Sequence, residues 1–205
     1  MGENKLSFIN KVKNELKQYF KTSKKYLIVA FIVAVIIVIL GYVFAADLSV
    51  FFDSAAQMGG ESETVFSIFT NNFAIALGMI FGGALLSIPS LFFFGSSSFL
   101  FVGYCMMLYG PVMFWIIVAP HGIFEISSFI IALAGALMLT HVEVRIIKAA
   151  LNKEKSDKDE LNNSHDLIKA VGVTVIICFI LLAIAAFIET YITGYYAIVI
   201  LSLMS

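Results

Sequence analysis

Long apolar runs separated by short polar segments dominate the pattern of this chain of 205 residues. The first continuous run extends from Tyr26 to Ala46, and a second region of very low charge extends from about Val65 to Thr140. The last run begins after Lys169. A helix rises about 1.5 Å per residue, so about 20 apolar residues cross a bilayer core of about 30 Å. The pattern therefore predicts membrane-spanning helices.

The middle region is too long for two such helices and fits three. Turn-forming residues at Gly95–Ser98 and at Ala119–Gly122 predict the two breaks. Pro89 and Pro111 fall inside the resulting helices and predict kinks. We predict an all-α, polytopic transmembrane bundle of about five spans. These are residues 26–46, 71–94, 99–118, 123–141 and 170–189, within a single transmembrane domain of residues 26–205.

The basic residues predict the orientation of this bundle. All 13 lysines and arginines lie either before residue 26 or between residues 142 and 169. Five spans place both segments on the same side, and the positive-inside rule makes that side the cytoplasm. The predicted external loop, residues 47–70, carries four acidic residues and no basic one, whereas residues 142–169 form a cytoplasmic loop. We therefore expect a multi-pass protein of the cell membrane with its N-terminus inside and its C-terminus outside.

Residues 1–25 predict a separate cytoplasmic element, a basic amphipathic helix. Its apolar residues recur at helical spacing between lysines: Leu6, Ile9, Val12, Leu16, Tyr19 and Phe20. Such a helix is typical of segments that lie on anionic lipid. A solvated helix with a modest apolar stripe is the alternative.

Composition supports the membrane assignment, and the motifs of several common kinds of functional site do not occur in the sequence. Hydrophobic residues make up 60% of the chain and charged residues only 13%, too few to cover a water-soluble domain. The two cysteines, Cys105 and Cys178, lie in apolar runs and form neither a disulfide framework nor a metal-ligand set. There is no phosphate-binding loop, and a single basic helix does not indicate nucleic acid.

A few polar residues lie inside predicted spans, where each is costly and indicates a function or a structural network. His121 and Glu125 are four residues apart, which places them on one helix face. Glu189 ends the fifth span, and an asparagine pair opens the second. All five fall at the outer ends of spans, so we predict an outward-facing polar cluster of Asn71, Asn72, His121, Glu125 and Glu189.

Three interpretations of this cluster compete. The first is a hydrogen-bonded network that joins helix ends, with Glu125 stabilised by the dipole of its first helical turn. The second is a binding or partner-docking site, and the third is a metal or catalytic site. One histidine and two glutamates are chemically adequate for zinc. Because a His-x-x-x-Glu spacing alone is weak evidence, the sequence assigns no metal, no cofactor and no catalytic residue.

Small residues predict close helix packing. Gly78 and Gly82 form a Gly-x-x-x-Gly pattern that continues into Gly83, and Gly135 lies in an alanine-rich segment of the fourth span. Such positions let helix backbones approach one another. We expect them to pack within one chain, with contact between two copies as the alternative.

Several of these segments resemble the motifs of the stage II sporulation protein M family, which comprises multispanning membrane proteins of bacteria and archaea. The resemblance covers about residues 26–195, and its most specific part is Pro120–Ile126. The other matching segments are Ile68–Asn72, Gly82–Gly83, Gly135 and Ile188–Thr193. The resemblance implies a membrane anchor or scaffold, because the family's namesake works with peptidoglycan-degrading partners and has no enzymatic activity of its own.

The leading hypothesis is therefore a non-enzymatic scaffold or assembly factor for cell-envelope remodelling. Its expected partners are the lipid bilayer and membrane or envelope proteins, and a homo-oligomer stays open. One alternative is a transporter or permease component with an outward-facing His/Glu site. Another is an intramembrane metal-dependent enzyme.

Overall fold

The computed structural model describes residues 2–49, 52, 64–152, 164–193, 195 and 199. These residues form helices and no strand, and five helices are long and apolar enough to cross a membrane. This confirms the all-α fold with five candidate spans. The helices are α1 (Gly2–Val43), α2 (Val65–Phe81), α3 (Ser90–Tyr109), α4 (Pro111–Asn152) and α5 (His165–Ile188). A 3-10 turn, Gly82–Leu85, continues α2, and a π-helical turn, Glu189–Thr193, continues α5.

Helix α4 is the centre of the bundle and contacts each of the other four helices. Its residues Ala132, Leu133, Ala134, Ala136 and Met138 are fully buried. Small side chains at these positions let the neighbouring helices approach closely. Large apolar side chains cover the outside of the bundle instead, where lipid can solvate them.

The N-terminal segment is not a separate element, because α1 runs without interruption from Gly2 to Val43. It contacts the beginning of α5. The ammonium of Lys169 lies 2.7 Å from the carboxylate of Glu15, and the hydroxyls of Tyr19 and Thr174 lie 3.3 Å apart. The two basic segments of the chain therefore meet at one end of the bundle, as expected for segments that four spans separate.

The predicted apolar stripe of this segment divides between two environments. Tyr19 is buried in the bundle, whereas Ile9, Val12, Leu16 and Phe20 are exposed. The side chain of Leu6 lies outside the described residues. Contact between the exposed stripe and lipid stays a prediction.

The break predicted at Gly95–Ser98 was wrong, because α3 is helical through these residues. The hydroxyl of Ser96 donates to the carbonyl of Phe92, and that of Ser97 donates to the carbonyl of Phe94 at 3.1 Å. Serine hydroxyls that donate to carbonyls of their own helix in this way are hydrogen-bonded without any break in the helix. These serines therefore do not mark a turn.

The turn between α2 and α3 lies instead at Leu86 and Ser87, which adopt the left-handed conformation with φ of 55° and 57°. Polar groups of α4 hold it there. The backbone N–H of Leu86 donates to the carboxylate of Glu143 at 3.0 Å. The hydroxyl of Thr140 lies 2.6 Å from that of Ser87 and donates to the carbonyl of Gly83 at 2.7 Å. Contacts with a distant helix thus compensate for backbone strain in two non-glycine residues.

The break predicted at Ala119–Gly122 was also wrong, since α4 passes through Pro120. The chain turns earlier, at Gly110, whose φ of +77° suits glycine, and Pro111 then begins α4. The kinks predicted at Pro89 and Pro111 lose their basis, because neither proline lies in the interior of a helix. Both prolines stand at helix starts, where a missing N–H has no partner to lose.

These boundaries shorten both predicted loops. The last residues of the predicted external loop, residues 47–70, belong to α2, and both ends of the predicted cytoplasmic loop, residues 142–169, are helical. Residues 53–63 and 153–163 lie outside the described part of the chain. The same holds for the C-terminal residues 200–205.

Candidate functional site

A cavity of about 600 Å³ lies among α2, α3, α4 and α5. Most of its lining is apolar and aromatic, with Phe99, Phe114 and Phe129 among the lining residues. Its polar lining includes all five residues that the sequence singled out: Asn71, Asn72, His121, Glu125 and Glu189. Tertiary structure therefore brings residues from three helical segments to one place.

The cavity lies far from the basic end of the bundle. Along α4, Glu125 precedes Arg145 by about 20 residues, a rise of about 30 Å. Along α5 and its π-helical turn, Glu189 follows Lys169 at a similar distance. Each glutamate thus lies about one hydrocarbon thickness from the nearest basic residue on its own helix.

The centre of the polar lining is a group of three side chains. His121 and Glu125 project from the same face of α4, one turn apart, and Glu189 comes from the turn that continues α5. One ligand atom from each of the three lies within 4.8 Å of the others. His121 is buried, and both glutamates are partly buried. We call these three residues the His/Glu/Glu group.

A threonine orients the imidazole of this group. The Nδ1 atom of His121 lies 2.9 Å from the hydroxyl of Thr193, and that hydroxyl donates to the carbonyl of Ile188 at 3.4 Å. In the tautomer that carries its proton on Nδ1, the imidazole donates to this threonine oxygen. The Nε2 atom of His121 then carries the free lone pair.

The first-turn dipole interpretation of Glu125 does not apply. The helix begins at Pro111, about 20 Å before Glu125 along its axis, and the effect of the macrodipole falls off within the first turn. Glu125 instead lies in the middle of a long helix, facing Glu189 from the neighbouring one.

The asparagine pair lines the same cavity from α2. The side-chain amide of Asn71 donates to the side-chain oxygen of Asn72 at 3.3 Å. The pair adds amide donors and acceptors to a wall that is otherwise largely apolar.

Sequence reasoning missed the part of the lining that α3 provides. Ser98, Val102, Cys105 and Tyr109 all line the cavity and follow one another at intervals of three or four residues. That spacing marks one face of a helix and was visible in the sequence. It was overlooked because Gly95–Ser98 was interpreted as a turn.

Two residues in the C-terminal half of α4, His141 and Glu143, have structural contacts. The imidazole of His141 stands edge-on to the ring of Tyr26 with centroids 5.9 Å apart. Glu143 holds the turn at Leu86, as described above. Neither residue belongs to the cavity lining.

Residues 9–194 match the family described as stage II sporulation protein M. The chain belongs to this family. No curated protein and no solved structure shows a significant match to it.

The match to stage II sporulation protein M includes the whole site. It begins at Ile9 in α1 and ends one residue after Thr193, so every residue of the cavity lining lies inside it. The cavity and the His/Glu/Glu group therefore lie within the part of the chain that matches the family.

In this family member, the predicted packing glycines lie at close contacts within the chain. A Cβ on Gly135 would lie 2.9 Å from the methyl carbon of Thr174 on α5, and a Cβ on Gly83 would overlap the backbone of Ala136 on α4. A Cβ on Gly78 would likewise lie too close to the ring of Phe94, and a Cβ on Gly82 too close to the hydroxyl of Ser90, both on α3. All four glycines therefore lie at close contacts within one chain, and contact between two copies stays an alternative.

Proposed function

We propose that this stage II sporulation protein M family member is a non-enzymatic scaffold or assembly factor for cell-envelope remodelling. It spans the plasma membrane five times, with its N-terminus in the cytoplasm and its C-terminus outside. It holds a membrane or envelope protein through the cavity that the His/Glu/Glu group lines.

The observation that carries this proposal is the closed floor of the cavity. Between the cavity and the basic end, fully buried side chains from three helices fill the bundle. They include Met79 and Ile80 from α2, Leu133 and Met138 from α4, and Cys178 and Leu182 from α5. A continuous pore needs a polar route through this region, whereas a site that binds a partner needs only a cavity that is reached from one side.

The lining of the cavity supports binding of a protein segment. Binding sites combine apolar and aromatic walls with a few polar groups that fix orientation. Here the aromatic wall includes Phe99, Phe114 and Phe129. The orienting polar groups are those of the asparagine pair and the His/Glu/Glu group.

The charge distribution supports the orientation. Both basic segments meet at one end of the bundle through the contact of Glu15 with Lys169. The positive-inside rule assigns that end to the cytoplasm, so the cavity faces the outside. Partners that remodel the cell envelope would approach from that side.

In vivo photocrosslinking tests the proposal. A photoreactive amino acid at Phe101, which lines the cavity, should give discrete protein adducts in living cells. The matched control is Ile176, which is 60% exposed on the outer surface of α5 and should react with lipid. Protein adducts equal at both positions, or none at Phe101, would overturn the proposal.

A second measurement separates the scaffold from a transporter. Cys178 is fully buried in the floor of the cavity. In native membranes, a water-soluble maleimide should leave Cys178 unmodified, with denatured protein as the positive control. Modification of Cys178 in the folded protein would reveal a route through the core and favour transport.

A further inference from the structure

The His/Glu/Glu group has the composition and spacing of a metal site. Its members offer one imidazole nitrogen and two carboxylate oxygens, each within 4.8 Å of the others. A tetrahedral zinc ion with bonds of about 2.0–2.2 Å holds its ligand atoms about 3.5 Å apart. The widest pair therefore needs to approach by at most about 1.3 Å, which a rotation of a glutamate side chain provides.

The surroundings of His121 resemble the outer shell of a metal-bound histidine. Metal-binding histidines commonly donate their second ring N–H to a neighbouring oxygen, which fixes the tautomer. The hydroxyl of Thr193, 2.9 Å from Nδ1, is placed to accept such a proton. The remaining nitrogen, Nε2, is the one that a metal ion would use.

The charge of the group also favours a cation. Two carboxylates this close to each other repel, and ionised groups within a bilayer are costly. No lysine or arginine occurs between Lys25 and Arg145 or after Lys169. One divalent cation makes the set of two carboxylates and a neutral imidazole electrically neutral. A proton shared between the two carboxylates is the competing solution.

The type of ligand narrows the choice of ion. An imidazole with two carboxylates suits zinc and neighbouring first-row transition metals, whereas calcium and magnesium prefer sites built of oxygen alone. From the spacing, the oriented histidine and the charge, we infer that His121, Glu125 and Glu189 bind one divalent transition-metal ion of the zinc type. Three protein ligands leave a fourth coordination position, and the adjoining cavity offers room for a water molecule or another ligand there.

The direct test is metal analysis of the full chain. The protein is purified in detergent with a histidine-free affinity tag, equilibrated with zinc, passed through a desalting column and analysed by mass spectrometry. Wild type should retain about one zinc per chain. His121→Ala, Glu125→Gln and Glu189→Gln should each lose most of it.

The control is His141→Ala, which removes a histidine from the other end of the same helix and should retain the metal. The glutamine variants keep the shape of the side chain, and a monodisperse elution profile shows that they fold. Added zinc should raise the unfolding temperature of wild type and of His141→Ala, but not that of Glu125→Gln.

Two results would overturn the inference. One is a folded wild-type protein that retains no zinc after equilibration, which favours a proton shared between the two carboxylates. The other is a set of folded variants that retain as much metal as wild type. Photocrosslinking at Phe101 reports on partner binding separately, so failure of the metal site and failure of the scaffold proposal are distinguishable.

Discussion

The imidazole of His121 and the hydroxyl of Thr193 lie 2.9 Å apart, although 72 residues separate them in the sequence. This contact ties the first third of α4 to the π-helical turn that follows α5. Glu189 opens that same turn, so the contact also sets where its carboxylate stands relative to Glu125. Every prediction about the site depends on this pairing of two helices.

The first prediction concerns Thr193→Val, which removes the oxygen that orients His121. Loss of such an outer-shell partner typically weakens metal binding 10–100-fold, so we expect a fall in zinc affinity of at least about 10-fold. Competition with a fluorescent zinc chelator measures this. Thr190→Val is the matched control, because the Thr190 hydroxyl bonds to Ala186 of its own helix at 2.9 Å. Equal affinities in both variants would contradict the role of Thr193.

The second prediction concerns Gly83→Ala at the contact of the α2 end with α4. The added methyl group overlaps the backbone of Ala136, which cannot move aside as a flexible side chain can. Overpacking of this kind costs about 1–3 kcal/mol, so the unfolding temperature in detergent should fall. Gly172→Ala serves as the control, because a Cβ at Gly172 meets no atom within 4 Å. A loss of stability at Gly172 as large as that at Gly83 would argue against the packing.

The third prediction concerns the docking of the N-terminal half of α1 on α5. The Lys169 ammonium and the Glu15 carboxylate lie 2.7 Å apart, close enough for a zero-length carbodiimide to join them. Peptide mass spectrometry should find this crosslink in wild type and not in Glu15→Gln. Both side chains are partly exposed, so the ion pair itself contributes at most about 1 kcal/mol. Absence of the crosslink in wild type would indicate that the N-terminal segment lies elsewhere, as on the lipid surface.

The fourth prediction concerns topology. With five spans and the basic end in the cytoplasm, a C-terminal fusion to alkaline phosphatase should be active, because this enzyme matures only outside. A C-terminal fluorescent protein that matures only in the cytoplasm should be dark, and the same protein at the N-terminus should fluoresce. An active cytoplasmic reporter at the C-terminus would contradict the five-span orientation.

The spans themselves were largely readable from the sequence. Apolar runs of sufficient length and the restriction of basic residues to two segments predict five helices, because the bilayer requires every backbone polar group to bond within its helix. Helix boundaries were less readable. Ser96 and Ser97 carry a turn signal, yet their hydroxyls bond to carbonyls of their own helix. In a lipid environment, a hydrogen bond to a carbonyl of its own helix satisfies a serine hydroxyl as well as a bond within a turn does.

Sequence by itself determined which residues have chemistry to offer, since His121, Glu125 and Glu189 stand out as ionisable groups in apolar spans. Only the tertiary structure decided that they meet. The left-handed turn at Leu86 and Ser87 depends on Thr140 and Glu143 from α4, and the position of Glu189 depends on how α5 packs against that same helix. Helical spacing predicts which residues share a face over one or two turns. Contacts between helices depend instead on how small and large side chains from distant segments pack together.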